Sequence, residues 1–241
     1  FQLVRGPAIW AFLFVGWTVL SLTWSAMVEA TWDKLQTIVS CLGLFWLVYE
    51  YADSEDRIRS LLQAYVLGGG VCIGGVIHSL LQGSYIDDSN YTRYVLSQLD
   101  PNALAAILAI GVPMAWHLVL TRTSWIMAVI NALYIPLGLV AVLLTASRGG
   151  LIAIVAAFLV IAWNFLKLRF WPKVVILVGT AVIIVAANSF VPETALSRFS
   201  TIPAEVTGGT LTSRTTLWMA GFEFLLDLPM QGIGAGAFKQ T

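Results

Sequence analysis

Residues 126–146 read Ile-Met-Ala-Val-Ile-Asn-Ala-Leu-Tyr-Ile-Pro-Leu-Gly-Leu-Val-Ala-Val-Leu-Leu-Thr-Ala, a run without one charged side chain. About 20 apolar residues cross the hydrocarbon core of a bilayer as an α-helix, which pairs its backbone polar groups internally. Comparable stretches cover 8–28, 35–52, 60–82, 102–120, 150–166 and 174–190, so about seven spans are expected. The runs are continuous and lack the period-two alternation of membrane barrel strands. The expected fold is therefore all-α, a polytopic transmembrane helical bundle over residues 1–190. Residues 191–241 are expected to begin a large external loop.

Composition points the same way. Of 241 residues, 59% are hydrophobic and 11% charged, with a mean hydropathy of +0.84. A soluble domain carries about 25% charged residues. Disordered chains are poor in apolar residues, so disorder is excluded. With 13 basic and 13 acidic residues the net charge is zero, which argues against nucleic-acid binding through bulk charge.

Short-loop Lys and Arg set the expected orientation. With a cytoplasmic N-terminus, the inner side holds Arg5, Arg57, Arg59, Arg122, Lys167, Arg169 and Lys173. The short outer loops then hold only Lys34, Arg93 and Arg148, and the tail from Val191 faces outward. Trp24, Trp32, Trp125 and Trp171 fall near span ends, as interfacial anchors do. In the tail, Ser213–Leu228 predicts an amphipathic helix with Leu217, Trp218, Leu225 and Leu228 on one face, suited to the outer membrane surface or to packing against the other spans. Phe1 and Thr241 both look like cut ends, so a piece of a longer protein is expected.

Few residues speak to chemistry. Thr145-Ala146-Ser147-Arg148-Gly149-Gly150 joins two spans, and so tight a turn calls for glycine backbone freedom. It also places a guanidinium at the outer membrane boundary, as a snorkelling side chain or as a planar fork for an anionic headgroup. Asp100-Pro101-Asn102 reads as an N-cap followed by proline at the first helical position. Arg198 and Arg214 lie in the outer tail, Arg214 at the start of the amphipathic helix. His78 and His117 sit towards opposite ends of their spans and read as bundle hydrogen-bonding groups. Cys41 and Cys72 read as small buried hydrophobes. Gly70 and Gly74 give a Gly-x-x-x-Gly spacing that suggests close helix packing. Gly232-Ile233-Gly234-Ala235-Gly236 imitates a dinucleotide fingerprint but follows a helix and Pro229, where that motif requires a strand.

Taken in order, three of these features resemble the O-antigen ligase and O-antigen polymerase superfamily. They are Leu99-Asp100-Pro101-Asn102-Ala103-Leu104-Ala105, then Leu144–Gly150, then Ser213-Arg214 followed by Trp218, Pro229 and Gly232-Ile233-Gly234. Leu22-Thr23-Trp24-Ser25 is a weaker, earlier marker. The resemblance implies a bacterial inner-membrane enzyme of about a dozen spans with one large periplasmic loop. Such enzymes move a glycan from a polyprenyl-diphosphate carrier to a hydroxyl on a glycan or lipid-linked acceptor, without a cofactor or metal. Two arginines engage the carrier diphosphate in the ligases, and the matching positions here are Arg148 and Arg214. Arg93 and Arg198 are further candidates for binding substrate. The family's loop histidine, implied to act as general base, is not matched by His78 or His117, so this stretch alone is expected to be inactive. The competing expectation is a transporter of a small anion such as bicarbonate, although the paired broken helices of such folds are not evident.

Overall fold

The computed structural model describes residues 7–88, 91–96, 99–121, 124–165, 210–229 and 232–237. Their helices are α1 (Pro7–Leu20), α2 (Val28–Tyr51), α3 (Glu55–Gln82), α4 (Pro101–Leu120), α5 (Trp125–Leu144), α6 (Arg148–Phe165) and α7 (Thr210–Asp227). A 3-10 turn, Ser21–Thr23, follows α1. Helices α3, α4 and α5 are each long and apolar enough to cross a membrane, and Ala8–Thr23 and Arg148–Ala162 are shorter apolar helices. The all-α transmembrane reading stands. The span expected at 35–52 falls within α2, while that at 174–190 lies outside the described residues.

The chain divides into two compact units. One comprises residues 1–57 and 205–241, the other residues 58–204. In the first, α1 packs on α2, and the Phe12 and Trp46 rings meet edge to face at 5.8 Å. The loop after α7 is pinned to the α1–α2 connection, where the Ala26 amide donates to Ile233 O at 3.1 Å. Gly232, Gly234 and Gly236 all have positive φ. A Cβ on Gly234 would meet Ser25 Cβ at 2.7 Å, so only glycine fits that contact. Ser25 is held in turn by Thr31, with 2.6 Å between the hydroxyls. The Leu22–Ser25 and Gly232–Gly234 stretches, distant in sequence, therefore form one packed corner.

The second unit is a bundle whose core includes Val66, Ile73 and Val76 of α3, Leu104, Leu108 and Val112 of α4, Val142 of α5 and Ile154 of α6. At its centre the Tyr134 ring of α5 lies against glycines of two neighbouring helices. A Cβ on Gly69 of α3 would stand 2.9 Å from the ring, and one on Gly111 of α4 would stand 2.6 Å from its Cζ. The buried hydroxyl donates to Leu108 O at 3.2 Å. The close packing expected at Gly70 and Gly74 lies elsewhere on the helix. Among the described residues a Cβ at either would meet nothing within 4 Å, whereas Gly75 is filled by Leu96. The reason is rotation, since one residue turns a helix by about 100°, so Gly69 faces inward and Gly70 outward.

One amide pair inside this bundle satisfies itself. Gln63 and Asn131 exchange two amide hydrogen bonds, each 2.9 Å, between α3 and α5. Replacing either residue alone by leucine strands the other amide at a cost of about 1–3 kcal/mol. Replacing both is expected to recover most of that loss, because an apolar pair suits the interior as well. A double-mutant cycle on unfolding in mixed micelles checks this, and a coupling near 1 kcal/mol is expected.

Three single-residue readings are corrected. The His78 and His117 side chains are exposed, whereas buried hydrogen-bonding groups were expected. Cys41 is likewise exposed. In a membrane-spanning chain the apolar surroundings of such residues include lipid as well as protein, so an apolar neighbourhood in sequence does not imply burial.

Candidate functional site

The site is built from the joint between α5 and α6. A helix leaves its last four carbonyls without intrahelical partners, and those of α5 are all accounted for. Thr145 N donates to Ala141 O at 3.1 Å and Ala146 N to Leu143 O at 3.0 Å. The Thr145 hydroxyl donates to Val142 O at 2.7 Å and accepts from Ser147 N at 3.3 Å, bridging a gap that a direct amide contact often closes. Tyr94 N, from the preceding loop, donates to Leu144 O at 3.0 Å.

This turn does need unusual backbone angles, but not at its glycines. The positive φ of 50° belongs to Ala146, which is fully buried. Gly149 and Gly150 already lie in α6. Gly150 serves packing, because a Cβ there would overlap Ala105 of α4. Ser147 caps α6, its hydroxyl accepting from Gly150 N at 3.1 Å. Arg148 is thus the first helical residue and is half-buried. A cation there opposes the helix dipole, while an anion arriving at that point meets both the side chain and the positive helix end.

The neighbouring element is the start of α4. The Asp100 carboxylate accepts from the Asn102 and Ala103 amides, each at 2.9 Å, with Pro101 at the first helical position. Capping, as read from sequence, is its structural role. Asn102 joins the two motifs. Its Oδ1 accepts from the Ser147 hydroxyl at 2.8 Å and from Arg93 Nη2 at 3.2 Å.

Arg93 ends a hairpin inside the loop that follows α3. Strands β1 (Ile86–Asp88) and β2 (Tyr91–Arg93) pair antiparallel, Ile86 opposite Arg93. This hairpin is an addition to the helical elements expected from the sequence. Arg93 is buried, and its Nε donates to Thr145 O at 3.1 Å. The structure therefore brings Arg93, Asn102, Ser147 and Arg148 to one end of the bundle. Arg214 belongs to the other unit and is the fifth residue of α7, with its side chain outside the described atoms. Arg198 lies outside the described residues. Leu217, Trp218 and Leu225 of α7 are exposed, as are Met219, Phe222 and Leu226 of the same helix and Leu228 just beyond it. Among the described residues, no group of three or more His, Cys, Asp or Glu side chains converges as a metal site.

Comparison with known families bears on residues 132–241, which match the family described as O-antigen ligase. This part of the chain is thus similar to O-antigen ligase sequences. The matched stretch contains the Thr145–Gly150 turn, Arg214 and the Gly232–Gly236 loop. The Asp100–Ala105 motif lies outside it but is tied to it through Asn102 and Ala105. No curated protein and no solved structure matches the chain. The family match and the apolar helices together point to an integral membrane protein of glycosyltransferase-like function.

Proposed function

We propose that the full-length protein transfers a glycan from a polyprenyl-diphosphate carrier to a hydroxyl on a glycan or lipid-linked acceptor, as an O-antigen ligase or polymerase of the bacterial inner membrane. The observation that carries this reading is Arg148 at the first position of α6, inside the O-antigen ligase family match. Displacement at the anomeric carbon releases a diphosphate, and negative charge grows on the leaving oxygen. A fixed guanidinium at a helix N-terminus stabilises that charge without reorganising. Arg214 takes the same part from the external loop, and Arg198 is a further contact for the donor. In this reading residues 1–190 hold the spans, with a cytoplasmic N-terminus, and residues 191–241 begin the periplasmic loop. In this reading neither His78 nor His117 is the general base for the acceptor hydroxyl.

The test is reconstitution of the full-length protein in proteoliposomes with a lipid-linked glycan donor and an acceptor glycan. Donor-dependent transfer is expected. Robust bicarbonate flux in vesicles without lipid-linked sugar, and no transfer when donor is supplied, would overturn the proposal in favour of an anion transporter.

A further inference from the structure

We infer that Arg93 is a positioning residue, one that holds the Thr145–Gly150 turn in the shape that presents Arg148 and makes no contact with the carrier itself. This inference rests on the reading of Arg148 as a diphosphate ligand. It replaces the expectation, drawn from sequence, that Arg93 binds substrate directly.

Three observations carry it. The first is burial, since Arg93 is only 6% exposed and its guanidinium is turned into the protein. A ligand for a lipid-borne diphosphate has to offer its fork to an incoming group. The second is the pair of acceptors it spans. Nε reaches Thr145 O at 3.1 Å and Nη2 reaches Asn102 Oδ1 at 3.2 Å. These groups belong to the end of α5 and the start of α4. One planar side chain thus fixes their separation in a way that a single point charge does not. The third is continuity into α6. The same Asn102 Oδ1 accepts from Ser147 Oγ, and Ser147 Oγ accepts from Gly150 N. The chain of contacts from Arg93 therefore ends in the helical turn whose first residue is Arg148.

The surrounding strap supports this assignment. Tyr94 N caps Leu144 O, Val95 O accepts from the Ser79 hydroxyl at 2.8 Å, and Leu96 fills the space over Gly75. Residues 93–96 are thereby fastened to α3 and α5, so the Arg93 backbone is a rigid base for its side chain. The cation also faces the carbonyl end of α5, the favourable end of a helix for positive charge.

The test uses the full-length protein and two readouts. The first is a double-mutant cycle on glycan transfer between Arg93→Ala and Arg148→Ala. Displacing a binding group by about 1 Å can cost about 100-fold, so Arg93→Ala is expected to lower transfer about 10–100-fold when Arg148 is present. In the Arg148→Ala background it is expected to change transfer less than about twofold, because a positioning residue has nothing left to position. Equal losses in both backgrounds would overturn the inference, since a direct ligand or a general structural role acts without Arg148. The second readout needs no substrate. Hydrogen exchange over residues 145–151 is expected to quicken in Arg93→Ala, with exchange over 60–76 of α3 unchanged. Unaltered exchange over 145–151 would also overturn it. Asn102→Ala, at an exposed position, breaks the same relay without removing a buried charge, and the same pattern in both readouts is expected of it. If the wild-type protein transfers no glycan, the donor reading fails on that result, and hydrogen exchange still decides whether Arg93 holds the turn.

Discussion

Replacing Arg148 by alanine in the full-length protein is expected to lower glycan transfer about 10²–10³-fold, the usual cost of losing one fixed group that stabilises developing negative charge. Stability is expected to change far less, by under about 1 kcal/mol. The helix position argues for this separation. Arg148 is the first residue of α6, where a cation opposes the macrodipole, typically by about 0.3–1 kcal/mol. A residue placed against the local rule is a mark of a functional site. Arg148→Lys keeps the charge but loses the fork of donors that matches phosphate oxygens, so an intermediate activity is expected. Initial rates at saturating acceptor, with expression and thermal unfolding measured alongside, separate the two effects. A loss of activity that tracked a loss of folded protein would remove Arg148 from the site.

The largest effect on stability is expected at Tyr134. Truncating a buried aromatic side chain to alanine costs about 3–5 kcal/mol, and Tyr134 also surrenders its hydrogen bond to Leu108 O. Gly111→Ala is expected to be harmful for the opposite reason. Its new methyl group would overlap the ring, and the ring has little room to retreat because Gly69 bounds it from α3. Overpacking of this kind costs about 1–3 kcal/mol. The decisive comparison is Gly111→Ala in a Tyr134→Leu background, where the penalty is expected to shrink, because the three atoms nearest the added methyl all belong to that ring. Unfolding in mixed micelles measures these variants, with Tyr134→Leu alone as the reference for the double variant. An undiminished penalty in the double variant would mean that Gly111 serves the helix rather than the socket.

The contrast between these two sites shows what a linear sequence records. Spans were legible because a bilayer imposes length and excludes charge, both of which are properties of consecutive residues. The cap at Asp100 was legible for the same reason, since an N-cap and its first turn are local. The Tyr134 socket was not, because Gly69, Gly111 and Tyr134 come from three helices and no spacing relates them. The Gly70 and Gly74 pair had the right spacing on the wrong face. At the site, Arg148 was found through its motif, but the turn's strained residue is Ala146, and glycine was the natural guess for a positive φ. Arg93 was noticed as an outer charge, and only the geometry shows it turned inward onto Thr145 and Asn102. Asn102 carried a signal, for it sits inside a motif whose capping role is already filled by Asp100. An amide beside a completed cap is free to bond elsewhere, and here it reaches Ser147.

The measurement that bears most directly on the whole account is the affinity of the purified full-length protein, in lipid nanodiscs, for polyprenyl diphosphate without a glycan. If Arg148 grips the carrier's diphosphate, wild-type protein binds it measurably and Arg148→Ala binds it at least about tenfold more weakly, a loss of about 1.4 kcal/mol. Equal binding by the two proteins would contradict the account.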